Sequence, residues 1–258
     1  MTDIAISFKN VTKTFYLQED RTFKDFLPNL LSGKSWAKKF LALSDVSFDI
    51  SIGETVGIIG KNGAGKSTIL KLIAGITSPT KGSVEINGRV APLIEIGAGF
   101  HHELTGLENI FLNAAILGMH KKEIDLVVSD IIKFSELGDF INVPVKRYSS
   151  GMYMRLGFAV AIYTNAPILL IDEVLAVGDV PFQKKCLDFL KEMRESRTKT
   201  IVFISHNEAA VKKFCDRSIL IEHGKVVSDG ATEDVIKAYH KILDDISLSE
   251  QQTAEIAT

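Results

Sequence analysis

The sequence predicts an α/β fold, in which helices cover a sheet of mostly parallel strands. The sequence has apolar runs at 54–59, 167–171 and 200–204. The first is followed by glycine, the second by two acidic residues and the third by a Ser-His pair. Buried parallel strands have this pattern, and ligand-binding groups follow their carboxyl ends. A helical pattern follows the first run, at 69–74. The chain has 258 residues, of which 46% are apolar, so it can bury the large core that this fold requires.

The chain begins with a pattern typical of strands that are buried on one face. Apolar residues alternate at Ile4, Ile6 and Phe8, and again at Val46, Phe48 and Ile50. This alternation predicts antiparallel strands that lead to the strand at 54–59, and 84–86 is a further short strand. We therefore expect a mixed sheet to begin the chain.

A phosphate-binding motif follows the strand at 54–59. Residues 60–68 read GKNGAGKST, which matches G-x-x-x-x-G-K-[ST] between a strand and a helix. The glycines allow the tight turn that aims backbone N–H groups at phosphate. Lys66 is predicted to reach the outer phosphates of a nucleoside triphosphate, and Ser67 to bind Mg²⁺. A glycine-rich turn that carries a lysine by chance would not need this order of strand, loop and helix. The predicted phosphate-binding residues are Gly60, Asn62, Gly63, Gly65, Lys66, Ser67 and Thr68.

Two further strands end in residues suited to hydrolysis of a bound nucleotide. The strand at 167–171 leads to Asp172, predicted to bind Mg²⁺, and to Glu173, predicted to orient or deprotonate the attacking water. The strand at 200–204 leads to His206, which is predicted to contact the γ-phosphate. Lys66, Glu173 and His206 are therefore the candidate catalytic residues. Solvated acids and a structural histidine are the alternative interpretations of these strand ends.

The residues from about 96 to 159 follow a helical pattern. Thr105 and Glu108 have the spacing of a capping box, and apolar residues recur at helical spacing within 124–132. We predict one domain at 1–246, with a core subdomain at about 1–95 and 160–246 and an inserted helical subdomain at about 96–159. A polar, disordered tail is expected at 247–258, and a hairpin at 218–227 that turns at His223 and Gly224.

A short motif at 148–152 distinguishes among nucleotide-binding families. It reads YSSGM. Ser149 is predicted to cap a helix whose N-terminus faces an anion, and Gly151 to permit close approach. The motif resembles the signature sequence of ATP-binding cassette (ABC) proteins, usually LSGGQ. An ordinary capped core helix is the alternative interpretation.

This resemblance implies the ABC form of the P-loop NTPase fold, in which a RecA-like mixed or parallel sheet core carries N-terminal antiparallel strands and an inserted helical subdomain. It implies an ATPase that forms a homodimer around two ATP molecules. Each ATP would lie between the phosphate loop of one copy and Ser149 and Gly151 of the other. An aromatic residue near the N-terminus stacks on adenine in this family. Phe15 is the candidate, with Tyr16 as the alternative and core packing as the other interpretation.

Departures from the general ABC pattern agree with one subgroup. The glutamine that usually precedes the helical subdomain is absent, and Glu95 is the candidate replacement as a ligand of Mg²⁺ or water. The segments YSSGM, DEVLAVGD and EIGAGFHHELTG resemble the ATPase subunit of bacterial exporters of O-antigen, capsule or teichoic acid. The resemblance implies a peripheral motor on the cytoplasmic face of the inner membrane, which drives a lipid-linked polysaccharide through a separate permease. We expect residues 95–104 and the helical subdomain to contact that permease.

Composition limits the other possibilities. With 30 basic and 32 acidic residues the net charge is −2, which gives no general attraction to nucleic acid. No apolar signal lies at the N-terminus, and no transmembrane helix is predicted. Cys186 and Cys215 lack metal-ligand spacing and are predicted to be buried thiols. An amphipathic segment at 17–41 is predicted either to lie at a membrane surface or beside the entrance of the exporter, or to pack on the chain's own sheet.

Three other functions are alternatives to polysaccharide export. An importer or a small-molecule exporter would differ only in the subgroup motifs. A soluble ABC ATPase that acts on DNA or ribosomes generally carries a coiled-coil insertion or two cassettes, and this sequence has neither. A regulatory module without turnover would not need Glu173 and His206.

Overall fold

The computed structural model describes residues 3–17, 38–93, 97, 99–172, 179–205 and 207–256. Three strands form an antiparallel sheet: β1 (Ile4–Leu17), β2 (Lys38–Ser51) and β4 (Lys81–Ile86), in the order β2-β1-β4. The second sheet contains β3 (Thr55–Ile59), β5 (Val90–Pro92), β6 (Ile168–Ile171), β7 (Thr200–Ile204), β8 (Arg217–Glu222) and β9 (Lys225–Ala231). Its order is β5-β6-β7-β3-β8-β9, and all its pairs are parallel except β8 with β9.

The helices follow the strands of the second sheet or connect them. They are α1 (Lys66–Ile73), α2 (Gly106–Ile116), α3 (Lys121–Ser135), α4 (Ser150–Tyr163), α5 (Val180–Ser196), α6 (Glu208–Phe214) and α7 (Thr232–Ile256). Short 3₁₀ helices at Gly138–Asn142 and Val145–Arg147 lie between α3 and α4. The predicted α/β fold is therefore confirmed.

Alternate residues of the central strands belong to two different cores. Ile168 and Leu170 of β6 pack with the antiparallel sheet and α1, whereas Leu169 and Ile171 pack with residues of α2 to α5. The side chains of β3 are buried on both faces for the same reason. The parallel sheet is thus covered on both sides, and its carboxyl edge carries the loops after β3, β6 and β7.

The first strands form a separate sheet, which differs from the single mixed sheet expected at the start of the chain. β1 and β2 are antiparallel as predicted, with Phe8 opposite Phe48 and their rings stacked at 4.4 Å. In β2 the residues from Asp45 to Ile50 alternate between exposed and buried, whereas Ala5 to Phe8 of β1 are all buried. A strand that is buried on one face, such as β2, can cover another sheet but cannot replace a central strand that needs both faces buried.

The helical region contains the capping box that the sequence predicts. The side chain of Thr105 accepts a hydrogen bond from the Glu108 backbone N–H at 3.2 Å, and the Glu108 carboxylate accepts one from the Thr105 N–H at 2.8 Å. These bonds satisfy N–H groups at the start of α2 that have no partner within the helix. The hairpin of β8 and β9 also turns at His223 and Gly224, as predicted.

The prediction of a disordered tail from 247 is wrong, because α7 continues to Ile256. Residues 247–256 contain neither glycine nor proline, and their Glu, Gln, Ala and Leu residues favour helix even where the surface is polar. Most of the amphipathic segment predicted at 17–41 lies outside the described residues. Its last part, 38–41, belongs to β2.

Both cysteines are buried free thiols, as predicted. Burial raises the pKa of Cys186 and of Cys215 to about 12, so both stay protonated at neutral pH. In the described ranges, no helix is long and apolar enough to cross a membrane.

Candidate functional site

The loop between β3 and α1 has the backbone conformation that the phosphate motif requires. Gly60, Gly63 and Gly65 have φ angles of 148°, 81° and 114°, in the region that favours glycine. A Cβ on Gly60 would lie 2.1 Å from the carbonyl oxygen of Ile221, whereas one on Gly63 would meet no atom of the described residues within 4 Å. Gly60 is therefore fixed by packing, and Gly63 by its φ angle at an open surface.

A cavity of about 290 Å³ lies over this loop. It contains the N-terminus of α1, where the first N–H groups have no partner within the helix and the helix dipole favours an anion. The cavity is lined by Asn62, Gly63, Gly65, Lys66, Ser67 and Thr68 together with Asp172, Phe40, Ala42 and Ile204. The fold thus brings most of the predicted phosphate-binding residues to the carboxyl end of β6, where Asp172 lies.

Lys66 and Asp172 place opposite charges in this cavity. The ammonium of Lys66 donates hydrogen bonds to the backbone oxygens of Gly60 at 2.5 Å and Lys61 at 2.9 Å. Burial lowers the pKa of Lys66, and the charge of Asp172 opposes that shift. Burial raises the pKa of Asp172, and the charge of Lys66 opposes it. Each group therefore favours the charged form of the other inside a partly buried site.

The end of the phosphate loop is held between two distant parts of the chain. The Gly224 N–H donates to the Ala64 oxygen at 2.9 Å, and the Ser44 N–H donates to the Gly224 oxygen at 2.8 Å. A Cβ on Gly65 or on Gly224 would lie 2.9 or 2.6 Å from the Ala42 oxygen. We call this interlock of β2, the phosphate loop and the β8–β9 turn the glycine clasp.

Three predicted residues lie outside the described part of the chain: Glu95, Glu173 and His206. Their neighbours are described. Glu173 follows Asp172 at the end of β6, and His206 lies between Ser205 and Asn207. The Asn207 N–H donates to the Ser205 hydroxyl at 2.9 Å, and the Asn207 side chain caps α6. The chain on both sides of His206 is therefore fixed at the carboxyl end of β7.

The predicted adenine-stacking residue, Phe15, lies opposite Phe40 across the β1–β2 pair. Directly opposed residues of an antiparallel pair share a face. Phe40, which is half exposed, lines the cavity over the phosphate loop. Tyr16 is exposed on the other face, with its ring 5.9 Å from the Lys39 ammonium. Phe40 is therefore an aromatic residue of this site that sequence reasoning missed.

Ser149 caps α4 as predicted. Its hydroxyl accepts a hydrogen bond from the Met152 N–H at 3.2 Å. The start of this helix opens on a second cavity, of about 550 Å³, lined by Ser149, Ser150, Gly151, Met152, Met154, Arg155 and Asp179. The nearest atom to a Cβ on Gly151 would be the Ser149 Oγ at 3.9 Å. No described residue of the chain therefore requires glycine at this exposed helix start, and the lack of a side chain leaves room for a group from outside.

The C-terminus of α4 is held by a lysine. The ammonium of Lys199 donates to the backbone oxygens of Ile162 at 3.1 Å and Thr164 at 2.7 Å. A positive charge at the C-terminus of a helix interacts favourably with the helix dipole. Burial nevertheless lowers the pKa of Lys199 to about 8.

An ionic cluster joins α4 to the segment that follows Asp172. Arg155 of α4 pairs with Asp179 at 2.6 Å and with Glu136 at 3.5 Å, and its guanidinium lies 4.9 Å from the centre of the Phe182 ring. Asp179 also caps α5. Asp179, the first described residue after Asp172, is therefore tied to the helix that Ser149 caps. Sequence reasoning missed this pair, since no local pattern relates the two residues.

The loop before α2 is anchored by a buried asparagine. The Asn109 side chain accepts from the His101 N–H at 2.7 Å and donates to the oxygens of His101, Leu104 and Thr105 at 2.9–3.1 Å. His101, His102 and Glu103 are exposed at the tip of this loop. The loop thus presents a polar surface from a fixed backbone.

The phosphate loop and the Ser149 helix open on different cavities. The described residues that line the first cavity are not among those that line the second. Within one copy the Ser149 helix and the phosphate loop therefore face separate cavities.

Comparison with known proteins gives consistent matches. The family model described as "ABC transporter" matches residues 43–176. The chain is 47% identical over 243 residues to the O-antigen export system ATP-binding protein RfbB of Klebsiella pneumoniae, covering 93% of this chain and 98% of that protein. It is 46% identical over 242 residues to the teichoic acids export ATP-binding protein TagH of Listeria monocytogenes, covering 93% and 71%.

Solved structures agree with the sequence matches. The dimeric structure of MJ0796, a bacterial ABC transporter cassette, superposes with a TM-score of 0.69 at 27% identity, over 88% of this chain and 98% of that one. A dimeric post-hydrolysis state of the same cassette, bound to ADP and Pi, has a TM-score of 0.69 at 26% identity and the same coverage.

Proposed function

Because the chain belongs to the ABC transporter family, we propose that it is the ATPase subunit that powers export of a lipid-linked polysaccharide, O-antigen or capsule, through a separate membrane permease. Its 47% identity to an O-antigen export protein, over nearly the whole of both chains, supports this substrate class. The 46% identity to a teichoic acid export protein supports the wider class of cell-surface polymers. The chain would lie on the cytoplasmic face of the membrane, held there by the permease.

One observation carries the proposed mechanism: the phosphate loop and the Ser149 helix of one copy open on different cavities. Two copies facing each other would close each phosphate loop with the other's helix N-terminus. Lys66 and the loop N–H groups would hold the phosphates of ATP, and Ser149 and Gly151 would meet the outer phosphate from the second copy. Phe15, with Phe40, would contact the adenine.

The residues of the first cavity suit a magnesium ion. The hydroxyl of Ser67 and the carboxylate of Asp172 line the same cavity, and oxygen donors of this kind are those that Mg²⁺ prefers. Bound Mg²⁺ supplies charge neutralisation of the phosphates. We propose Ser67 and Asp172 as its ligands, with Glu95 as a third ligand of the ion or of its water.

Glu173 would act as the base that orients or deprotonates the attacking water, with His206 against the γ-phosphate. Glu173→Gln should still bind ATP but hydrolyse it at least about a hundredfold more slowly, as expected for the loss of a general base. Phosphate release measures this rate. Glu195→Gln, an exposed residue of α5, is the matched control and should hydrolyse normally. Near-normal hydrolysis by Glu173→Gln would assign the base to another residue.

The shared site is tested by adding Ser149→Arg to Glu173→Gln. Glu173→Gln alone should form stable dimers in the presence of ATP, and light scattering detects these dimers. The double variant should bind ATP through its intact phosphate loop yet remain a monomer, because the arginine blocks the helix start that faces the second copy's phosphates. A double variant that still dimerises with ATP would show that Ser149 does not lie at the shared site.

Export is tested in cells that lack the gene for this chain. We expect lipid-linked polysaccharide to accumulate inside and to disappear from the surface. The wild-type chain should restore export, and Lys66→Ala should not. Unchanged surface polysaccharide in the deletion strain would exclude the proposed substrate and favour an importer or another exporter.

A further inference from the structure

We propose that Tyr153 is a positioning residue that couples the Ser149 helix to the loop at 97–104. The inference rests on the proposed function, in which Ser149 faces ATP, and on the expectation from the sequence that residues 95–104 contact the membrane permease. It names the contact through which movement at the nucleotide site would be transmitted to that loop when the site closes.

The contact consists of a hydrogen bond and an aromatic pair. The Tyr153 hydroxyl donates to the Gly97 carbonyl oxygen at 2.8 Å, and the Phe100 N–H donates to the same oxygen at 2.9 Å. The Tyr153 ring meets the buried ring of Phe100 edge to face, with centroids 5.1 Å apart. Burial raises the pKa of Tyr153, so its hydroxyl remains a donor at physiological pH. Tyr153 thus holds both the backbone and a side chain of the loop's first turn.

Gly97 and Tyr153 are fitted to each other. Gly97 is buried and has a φ of 81°. A Cβ at this position would lie 2.2 Å from Cε1 of the Tyr153 ring. Only glycine lets the ring lie against the loop backbone, so the contact depends on a specific residue on each side.

Tyr153 lies one helical turn after the residue that faces the nucleotide. Its N–H donates to the Ser149 carbonyl oxygen at 3.0 Å, which fixes the two residues within the same turn. Residues Ser150–Tyr163 form one continuous helix, so Ser149 and Tyr153 keep a fixed separation along it. Any rotation that brings Ser149 onto a phosphate therefore moves the Tyr153 hydroxyl by a similar amount.

The other end of the loop is attached to α2 and to the residues before α4 as well as to Tyr153. Asn109 of α2 binds the backbone at His101 and Leu104, and the Lys146 N–H donates to the His102 oxygen at 2.9 Å. The Tyr153 ring stacks on the His102 ring, with centroids 6.4 Å apart. Movement of α4 against α2 would therefore pull on the Gly97 carbonyl and would also shift the exposed tip at 101–103.

Tyr153→Phe tests this proposal because it keeps the ring and removes only the hydroxyl. We expect hydrolysis by the isolated dimer within about twofold of wild type, but polysaccharide exported per ATP lower by about three- to tenfold, the range for loss of one hydrogen bond. Tyr163→Phe, at the far end of the same helix, is the control and should change neither quantity. Gly97→Ala should uncouple transport in the same way, and the double variant Gly97→Ala with Tyr153→Phe should be no worse than Gly97→Ala alone.

Hydrogen exchange gives a second readout that does not depend on the exported substrate. In a Glu173→Gln background, ATP should change the exchange of the backbone amides at 99–104, and adding Tyr153→Phe should abolish that change. Unchanged export per ATP, or an ATP response of these amides that survives in Tyr153→Phe, would overturn the inference. A proportional loss of hydrolysis and export would also overturn it, since Tyr153 would then act on the nucleotide site itself. If wild type exports no polysaccharide, the proposed function fails, and the exchange experiment still decides the role of Tyr153.

Discussion

Replacing Ser149 by alanine and by aspartate should separate its role in the fold from its role at the nucleotide. The serine caps α4 through one hydrogen bond, from the Met152 N–H at 3.2 Å, and it is exposed. Alanine removes the cap and should lower the free energy of unfolding by about 1 kcal/mol. Aspartate keeps the acceptor and adds a favourable interaction of about 0.3–1 kcal/mol with the helix dipole. The expected order of stability is aspartate at or above serine, with alanine below both.

The order of activity should be different. In the proposed dimer the side chain at 149 faces the outer phosphate of ATP held by the other copy. A carboxylate about 4 Å from a phosphate charge is repelled by about 4 kcal/mol at an effective dielectric constant near 20, which corresponds to about a thousandfold. Alanine loses only the hydroxyl that would donate a hydrogen bond to the phosphate. It should therefore lower the rate of hydrolysis by about ten- to a hundredfold, as for a contact worth about 1.5–3 kcal/mol. Hydrolysis should therefore fall from serine to alanine to aspartate.

Two measurements test whether the order of activity differs from the order of stability. Urea denaturation of the three proteins gives the order of stability, and steady-state phosphate release gives the order of activity. Binding of ATP to the monomer should be equal in all three, because each retains the phosphate loop. A stably folded aspartate variant that hydrolyses ATP at the wild-type rate would refute the reasoning, since Ser149 would then face no phosphate.

Three further predictions concern the fold around the site. Burial lowers the pKa of Lys199 from 10.5 to about 8, so the unfolded chain binds its proton more tightly and the folded protein gains stability as pH rises through this range. From about pH 7 to 9, wild type should gain up to about 1 kcal/mol relative to Lys199→Met, after discounting for partial exposure; parallel pH profiles would contradict this. The Thr55 hydroxyl is buried and has no hydrogen-bond partner in the described ranges, so Thr55→Val should raise the free energy of unfolding in urea by about 1 kcal/mol, and a lower urea midpoint would argue against it. Without nucleotide, Gly60→Ala should destabilise by at least about 2 kcal/mol more than Gly63→Ala, because a Cβ on Gly60 meets a backbone oxygen. Equal unfolding midpoints for the two glycine variants would contradict this account.

Local features of the fold could be predicted from the sequence, because nearby residues determine them. The strand, loop and helix at 55–73 are encoded in one stretch, and Ser149 and Thr105 cap helices through bonds to residues three positions later. The position of Asp172 also follows from a local rule, since it ends an apolar strand of a parallel sheet. Each of these features can be identified without knowing where the rest of the chain lies.

Features that depend on distant pairing could not be predicted. Phe40 lines the cavity because the fold brings the start of β2 beside the phosphate loop, which is distant in the sequence. The Arg155–Asp179 pair depends on the packing of α4 beside α5, and no periodicity relates the two residues. The separate antiparallel sheet was missed because alternation predicts strands but not the sheet they join. The length of α7 does not follow from its polarity, because a polar surface is compatible with both a helix and a disordered tail.

The glycine clasp has a consequence for synthesis of the protein. A ribosome that has made residues 42–68 has completed the GKNGAGKST motif, but the β8–β9 turn that holds Ala64 through Gly224 is synthesised much later than the motif. A nascent chain therefore carries the motif before it carries the turn that supports it. ATP should meet a formed pocket only after the β8–β9 turn has left the exit tunnel, so this hairpin delays nucleotide capture.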